Sequence, residues 1–145
     1  MQLKNNNKYE NLIQTALEAR TYAYAPYSNF YVGAALLGKN DVIYQGANME
    51  NASYPVGNCA ERTAFCNALM DGQRAFTAIA IVGGGKDAEQ LEYCTPCGIC
   101  RQMMREFCNP DDFEIIVAKN RTDYEVYTLA ELLPMSFGPA NLEPM

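Results

Sequence analysis

Residues 77–82 read Thr-Ala-Ile-Ala-Ile-Val, and residues 114–118 read Glu-Ile-Ile-Val-Ala. Both are continuous apolar runs, and the first ends at three consecutive glycines, residues 83–85. Such runs are typical of strands that are buried on both faces of a sheet. The segment between them, residues 98–108, is predicted to be a helix. This strand–helix–strand order indicates an α/β protein.

The residues before this unit extend the same pattern. A second helix is predicted over residues 59–69, where small and apolar side chains recur at helical spacing. Residues 31–37 and 42–47 are two apolar runs around a polar turn, which predicts an antiparallel hairpin. A further helix is predicted over residues 9–23, and Pro26 stops it.

A strand at residues 124–128 and a helical turn at residues 129–133 complete the pattern. We therefore predict an α/β fold, a three-layer α-β-α sandwich with a mixed, mostly parallel five-stranded sheet. The chain has 145 residues and shows no internal repeat, low-complexity tract or linker, so residues 1–145 are expected to form a single domain.

The composition excludes several classes of function. There are 17 acidic and 11 basic residues, a net charge of −6, which argues against nucleic-acid and membrane partners. The chain has no histidine, which removes Ser-His-Asp and Cys-His catalysis and every imidazole metal site. No signal-peptide or membrane-spanning pattern is visible, so a cytoplasmic location with reduced cysteines is expected.

Two cysteine motifs stand at the starts of predicted helices. Residues 59–62 read Cys-Ala-Glu-Arg, and residues 96–100 read Pro-Cys-Gly-Ile-Cys. Residues three apart on a helix face nearly the same direction, so Cys97 and Cys100 can present two thiolates to one ion. Helix N-termini favour the thiolate that zinc requires. Together with Cys59, these cysteines are the predicted ligands of a zinc ion.

Zinc held by three protein ligands keeps a fourth position for water and is then typical of a catalytic site. Glu61, next to the metal, is the candidate general acid and base for that water. Thiolates weaken the Lewis acidity of zinc, so a compensating cation is expected. Arg62 lies one helical turn after Cys59 and is the candidate for it.

The other cysteines leave alternatives open. Cys94 forms a second C-x-x-C pair with Cys97, which would suit a closed, structural zinc site in a non-catalytic binding module. The same pair would suit a redox enzyme, although a thioredoxin-like context is lacking. Cys66 and Cys108 are predicted to be core thiols, and Cys94 a free thiol near the zinc.

Four segments resemble, in the same order, the small tetrameric cytidine deaminases. They are Tyr-Ser-Asn-Phe-Tyr-Val-Gly-Ala-Ala-Leu at residues 27–36, Asn-Met-Glu-Asn-Ala-Ser-Tyr at residues 48–54, residues 59–62, and residues 96–102. The resemblance covers nearly the whole chain, with cysteine in place of the first ligand histidine of many zinc deaminases. It implies hydrolytic deamination of cytidine and deoxycytidine to uridine and deoxyuridine, with release of ammonia.

The resemblance also implies roles for individual residues. Cys59, Cys97 and Cys100 match the ligands of one zinc ion per subunit. Glu61 matches the proton shuttle, and Arg62 matches the arginine that hydrogen-bonds the ligand sulfurs. The residues that match the substrate site are Phe30 against the base, Asn48 and Glu50 at the ribose 3′-hydroxyl, the N–H of Ala60 on the base, and Ala52, Tyr54 and Phe137 in the pocket of a neighbouring subunit.

The three residues that reach a neighbouring subunit imply a homotetramer with shared active sites. The substrate implied is a small neutral nucleoside, in keeping with the acidic chain. A deaminase of a modified cytosine nucleoside is the alternative, and it would be expected to differ from this family at Phe30, Asn48 or Glu50.

Overall fold

The computed structural model describes residues 2–142, and the side chains from residue 7 onward. Every predicted element is present, with small changes in its ends. No helix within these residues is both long and apolar enough to cross a bilayer. The helices are α1 (Gln2–Arg20), α2 (Ala60–Met70), α3 (Gly98–Phe107) and α4 (Leu129–Leu132), and the strands are β1 (Phe30–Gly38), β2 (Ile43–Ala47), β3 (Phe76–Gly85), β4 (Glu114–Ala118) and β5 (Tyr124–Thr128).

The five strands form one sheet in the order β2-β1-β3-β4-β5. Strand β1 is antiparallel to both of its neighbours, β4 and β5 are antiparallel, and β3 and β4 are parallel. The prediction of a mixed five-stranded sheet is confirmed, but the prediction that it is mostly parallel is wrong. Of the four strand pairs within residues 2–142, one is parallel and three are antiparallel. The helical crossovers do join strands that run the same way. Strand β1, however, is inserted between β2 and β3, and a hairpin adds β5.

Helices cover both faces of the sheet, as predicted for a three-layer sandwich. Along β3, Ile79 and Ile81 face the core shared with α2 and α3, while Ala78, Ala80 and Val82 face the core shared with α1. This alternation follows from the period of two of a β-strand. Because β3 is buried on both faces, it reads as one continuous apolar run.

Two glycines allow the helices to approach the sheet closely, one on each face. A Cβ built on Gly33 of β1 would lie 2.1 Å from the carbonyl oxygen of Ala16 in α1. A Cβ on Gly46 of β2 would lie 2.2 Å from the carbonyl oxygen of Ala60, the first residue of α2. Any larger residue at Gly46 would therefore move the start of α2.

Helix α1 begins and ends earlier than the sequence pattern predicted. In its first half, the Tyr9 hydroxyl donates a 2.7 Å hydrogen bond to Glu114 of β4. The helix ends at Arg20, whose guanidinium donates to the carbonyl oxygens of Tyr31 at 2.9 Å and Gly84 at 3.0 Å. Arg20 thus fastens the end of α1 to strands β1 and β3.

Candidate active site

The sulfur atoms of Cys59, Cys97 and Cys100 all lie within 4.8 Å of one another. Cys59 is the N-cap residue of α2 and Cys97 is the N-cap residue of α3. Neither cysteine side chain caps its own helix, so the thiols are free to point at a common centre. The structure therefore brings together the three cysteines predicted to bind zinc.

The loop before Cys59 is held by backbone hydrogen bonds. Met49 and Asn58 exchange two such bonds, each of 2.9 Å, which closes residues 50–57 into a compact loop. On its other side, Met49 forms a parallel bridge with Tyr24. These bonds fix where the chain enters α2, and thereby fix the position of Cys59.

The donor set fits a zinc ion. Zn–S bonds of about 2.3 Å in a tetrahedral site place the sulfurs about 3.8 Å apart, within the observed limit. The pKa of Cys59 is lowered to about 5 by a hydrogen bond from Cys100 and by the nearby Arg62. The pKa of Cys100 is raised by that same hydrogen bond, by burial and by the surrounding negative charges. Three thiolates this close repel one another, and a divalent cation at their centre relieves that repulsion.

Arg62 lies beside the cysteine cluster, as predicted. Its Nη2 atom is 4.0 Å from the sulfur of Cys59 and donates to the carbonyl oxygen of Gly57 at 3.3 Å. Its Nε atom is buried and has no hydrogen-bond partner among the residues that the structure describes. The guanidinium therefore places positive charge against a thiolate in a partly buried setting, where the interaction is stronger than in water.

Among the residues whose burial is described, Glu61 is the only charged residue that is buried, with 5% of its surface exposed. Burial raises its pKa to about 7, and the negative charge of Cys59 adds to the shift. Ionised groups are rarely buried without a functional reason, because desolvation is costly. A carboxyl group that titrates near neutral pH suits the transfer of protons in both directions.

A cavity of about 170 Å³ opens beside these groups. Its lining includes the predicted site residues Asn48, Cys59, Ala60, Glu61 and Cys97. Three further residues line the cavity that were not predicted from the sequence as site residues, although one of them, Cys94, was predicted to be a free thiol near the zinc. These three residues are Val32, Cys94 and Thr95.

Asn48 joins the cavity to strand β1. Its Oδ1 atom accepts a 2.9 Å hydrogen bond from the N–H of Val32, and its Nδ2 atom donates a 2.9 Å bond to the carbonyl oxygen of Phe30. A primary amide has two donor hydrogens and two acceptor lone pairs. Asn48 therefore keeps one donor and one acceptor for a ligand.

Glu50 lines a second cavity, of about 370 Å³, whose lining also includes Ser28 and Tyr54. Its carboxylate accepts hydrogen bonds from the N–H groups of Tyr27 at 2.9 Å and Ser28 at 3.1 Å, and from the Ser28 hydroxyl. These bonds, chiefly the one from the hydroxyl, lower the pKa of Glu50. The carboxylate is therefore ionised at neutral pH and held in one orientation.

The other predicted substrate residues lie at or beyond the edge of the site. Phe30 is 44% exposed, and its ring lies close to Gly83, next to Cys94. Ala52 and Tyr54 are exposed on the loop before α2. Phe137 is 58% exposed and is not among the residues that line either of the two cavities described above.

The structure separates the remaining cysteines from the metal cluster. Cys94 lines the smaller cavity but is not one of the three clustered sulfurs within the described residues, and burial raises its pKa to about 11. Cys108 is buried, as predicted. Cys66 is exposed, so its prediction as a core thiol is wrong.

A cysteine cluster at two helix N-termini, with a buried glutamate at an open cavity, defines the class of zinc-dependent hydrolytic deaminases. The zinc site is open on the side of Glu61, which distinguishes it from a closed structural site. Comparison with known proteins gives the family within this class.

A family model described as the cytidine and deoxycytidylate deaminase zinc-binding region matches residues 6–115. The cytidine deaminase of Sporosarcina psychrophila is 45% identical over 133 residues, which cover 92% of this chain and 93% of that protein. The cytidine deaminase of Halalkalibacterium halodurans is 47% identical over 126 residues, covering 87% and 91%. The crystal structure of cytidine deaminase from Burkholderia pseudomallei superposes with a TM-score of 0.78 at 45% identity, covering 88% and 97%. The chain belongs to the cytidine deaminase family.

Proposed function

We propose that this protein hydrolyses cytidine and deoxycytidine to uridine and deoxyuridine, with release of one ammonia for each water consumed. The observation that carries the proposal is the position of Glu61. Its buried carboxyl group lies at a cavity that also exposes the cysteine cluster. The relatives that match nearly the whole chain are named cytidine deaminases.

The reaction needs a group that moves protons between water and the base. A zinc ion, one per chain, would be held by Cys59, Cys97 and Cys100 and would supply the Lewis acidity that activates water at neutral pH. Glu61 takes a proton from the attacking water and delivers it to N3 of the cytosine. It then transfers the second proton to the exocyclic amine, which leaves C4 as ammonia.

The substrate is oriented by groups along the two cavities. The N–H groups in the first turn of α2 have no partner within the helix, so the N–H of Ala60 can donate to the carbonyl oxygen of the base. Asn48 and Glu50 each retain hydrogen-bonding capacity for the 3′-hydroxyl of the sugar. Phe30 packs against the pyrimidine ring. A grip on the 3′-hydroxyl admits both ribose and deoxyribose.

The lining favours a nucleoside over a nucleotide. No lysine or arginine is among the described residues that line the two cavities. Glu50 adds a negative charge that would repel a phosphate at the sugar. A cytosine nucleotide would therefore bind far more weakly than cytidine.

We further propose a homotetramer with shared active sites. Tyr54 is 73% exposed and Phe137 is 58% exposed, so both side chains are accessible to another chain. The resemblance assigns both of them, with Ala52, to the pocket of a neighbouring subunit. Residues 1–145 would act as one domain within each subunit.

We place the enzyme in the cytoplasm because its function depends on reduced cysteines. The six cysteines are all free, and three of them are needed as thiolates. Reducing compartments keep such thiols from forming disulfides.

The direct test mixes purified, zinc-containing protein with cytidine, deoxycytidine or deoxycytidylate. Ammonia release and the ultraviolet change from cytosine to uracil are followed together, and zinc is measured on the same sample. The proposal expects turnover of both nucleosides and little turnover of the nucleotide. No turnover of either nucleoside by the zinc-containing protein would overturn it and would favour a modified cytosine nucleoside as the substrate.

A further inference from the structure

The segment that carries Phe137 is fastened to helix α3 by side chains of that helix. Gln102 Nε2 donates a 2.9 Å hydrogen bond to the carbonyl oxygen of Phe137. Arg105 Nε donates a 2.9 Å bond to the hydroxyl of Ser136. Arg101 Nη1 donates a 2.7 Å bond to a carbonyl oxygen earlier in the same segment. Three residues within two helical turns therefore hold residues 132–137.

The segment needs this support because it has few other means of keeping its shape. Met135 has a φ of 51°, a conformation that is uncommon for residues other than glycine, and its side chain is fully exposed. Phe137 is also exposed. Gly138 is buried under Arg105, and a Cβ at this position would lie 2.4 Å from the guanidinium carbon. The bond from Gln102 is thus a direct restraint on the backbone of Phe137.

Helix α3 also carries part of the zinc site. Cys97 is its N-cap and Cys100 lies in its first turn, two residues before Gln102. Over this distance a helix is rigid and rises only about 1.5 Å per residue. The helix that presents two zinc ligands to its own active site therefore also fixes the segment that carries Phe137.

We propose that Gln102 is a positioning residue for Phe137, with Arg105 as its second support. This inference rests on the proposed function, in which Phe137 enters the substrate pocket of a neighbouring subunit. Gln102 then acts on the active site of the neighbour, and not on the zinc site of its own chain. Loss of its amide donor frees the backbone of Phe137, so the aromatic ring is no longer presented in one position.

The first test compares the kinetics of two variants that lack the amide donor, Gln102→Ala and Gln102→Glu. Of these, Gln102→Glu also keeps the size of the side chain. Both variants should raise KM about three- to tenfold, as the loss of one hydrogen bond allows, with kcat and zinc content nearly unchanged. Glu106→Ala, at an exposed position on the same helix, is the matched control and should leave KM unchanged. In a Phe137→Ala background, Gln102→Ala should have no further effect on KM.

A subunit-mixing experiment tests whether Gln102 acts across the interface. Chains carrying Gln102→Ala are unfolded and refolded together with an excess of chains carrying Glu61→Ala. In the mixed oligomer, an active site with an intact Glu61 receives an intact Phe137 segment from its neighbour. The KM of the active sites should therefore return toward the wild-type value.

An unchanged KM of Gln102→Ala would overturn the inference, and so would three further results. They are a KM that stays high in the mixture, a loss of zinc from Gln102→Ala, and additive effects with Phe137→Ala. The first two would assign Gln102 to its own subunit, and the third would separate it from Phe137. Failure of the proposed function is distinct from all three, because wild-type protein would then not turn over cytidine at all.

Discussion

Gly46 of β2 lies against Ala60, the first residue of α2, so closely that a Cβ on Gly46 would be 2.2 Å from the Ala60 carbonyl oxygen. Ala60 stands between Cys59 and Glu61, the ligand and the proton carrier of the proposed reaction. The spacing between an edge strand and a helix therefore sets the position of the active site.

Gly46→Ala is expected to destabilise the protein and also to disturb the active site. Overpacking of this kind costs about 1–3 kcal/mol, less a small gain from a stiffer unfolded chain. Gly33→Ala is the matched control, since its Cβ would meet α1 on the opposite face of the sheet. Thermal unfolding and kcat of both variants check this. Both variants should lose stability, but Gly46→Ala should lose more kcat for each kcal/mol of stability lost. Equal losses of kcat relative to stability would contradict the proposed link between Gly46 and the active site.

The order of the strands depended on information that the apolar runs do not carry. Strands β4 and β5 lie where they were predicted, because polar residues mark their ends. An apolar run shows that a strand is buried, but not which strands are its neighbours. The interior position of β1, between β2 and β3, becomes clear only from its burial on both faces. In the edge strand β2, by contrast, Tyr44 is buried while Ile43 and Gln45 are exposed.

The metal cluster was predictable because its geometry is local. Cys97 and Cys100 share one helix start, and Cys59 occupies the same position on the preceding helix. The lining residues Val32 and Thr95 were missed because a strand end and a loop meet there only in the folded chain.

The prediction for Cys66 was wrong for a reason that helical geometry explains. The buried face of α2 consists of Ala60, Ala64 and Ala68, with Phe65 beside them. At about 100° per residue, Cys66 points away from that face. Apolar character alone does not place a residue in the core.

Glu61→Gln should abolish most of the activity while the protein keeps its zinc. The amide has the same shape but cannot accept and return a proton, and general acid–base catalysis contributes about 10²–10⁴ in rate. Because Glu61 is not one of the clustered sulfur ligands, the metal content should match that of the wild type. Steady-state kinetics and zinc analysis of the same preparation check this. Retention of more than about a tenth of kcat would contradict the role of Glu61 as proton carrier.

Arg62→Gln should lower the activity less than Glu61→Gln does. The guanidinium offsets the charge that the thiolates place on the metal, through a contact of 4.0 Å to the sulfur of Cys59. Loss of groups that support metal ligands typically costs about 10- to 100-fold in activity or metal affinity. Measurement of kcat and of zinc release to a chelator checks this. Thr63→Val is the control for loss of structure alone, because Thr63 donates a hydrogen bond to the backbone carbonyl of Cys59.

Removal of zinc should expose particular thiols. With zinc bound, Cys59, Cys97 and Cys100 should resist an alkylating reagent at pH 8. Chelation should make Cys59 and Cys97 reactive, whereas Cys100 should still react slowly because it is buried and its pKa is raised. Cys94 should react slowly in both states, because burial raises its pKa to about 11 and leaves little thiolate. Mass spectrometry of labelled peptides, with and without a chelator, identifies the sites. If chelation increased the alkylation of Cys94 as much as that of Cys97, Cys94 would be a zinc ligand. The prediction of an open zinc site with three protein ligands would then be wrong.

Glu50→Gln should weaken binding only of substrates that carry a 3′-hydroxyl. The carboxylate is held by Ser28 and by the N–H of Tyr27, and its remaining lone pair is free to accept from the sugar. A hydrogen bond to a charged group is worth about 1.5–3 kcal/mol, so KM for deoxycytidine should rise about 10- to 100-fold. For 2′,3′-dideoxycytidine, wild type and variant should have similar KM values, because the interaction is absent from both. A variant that weakens binding of both substrates equally would show that Glu50 acts only by shaping the loop around Ser28.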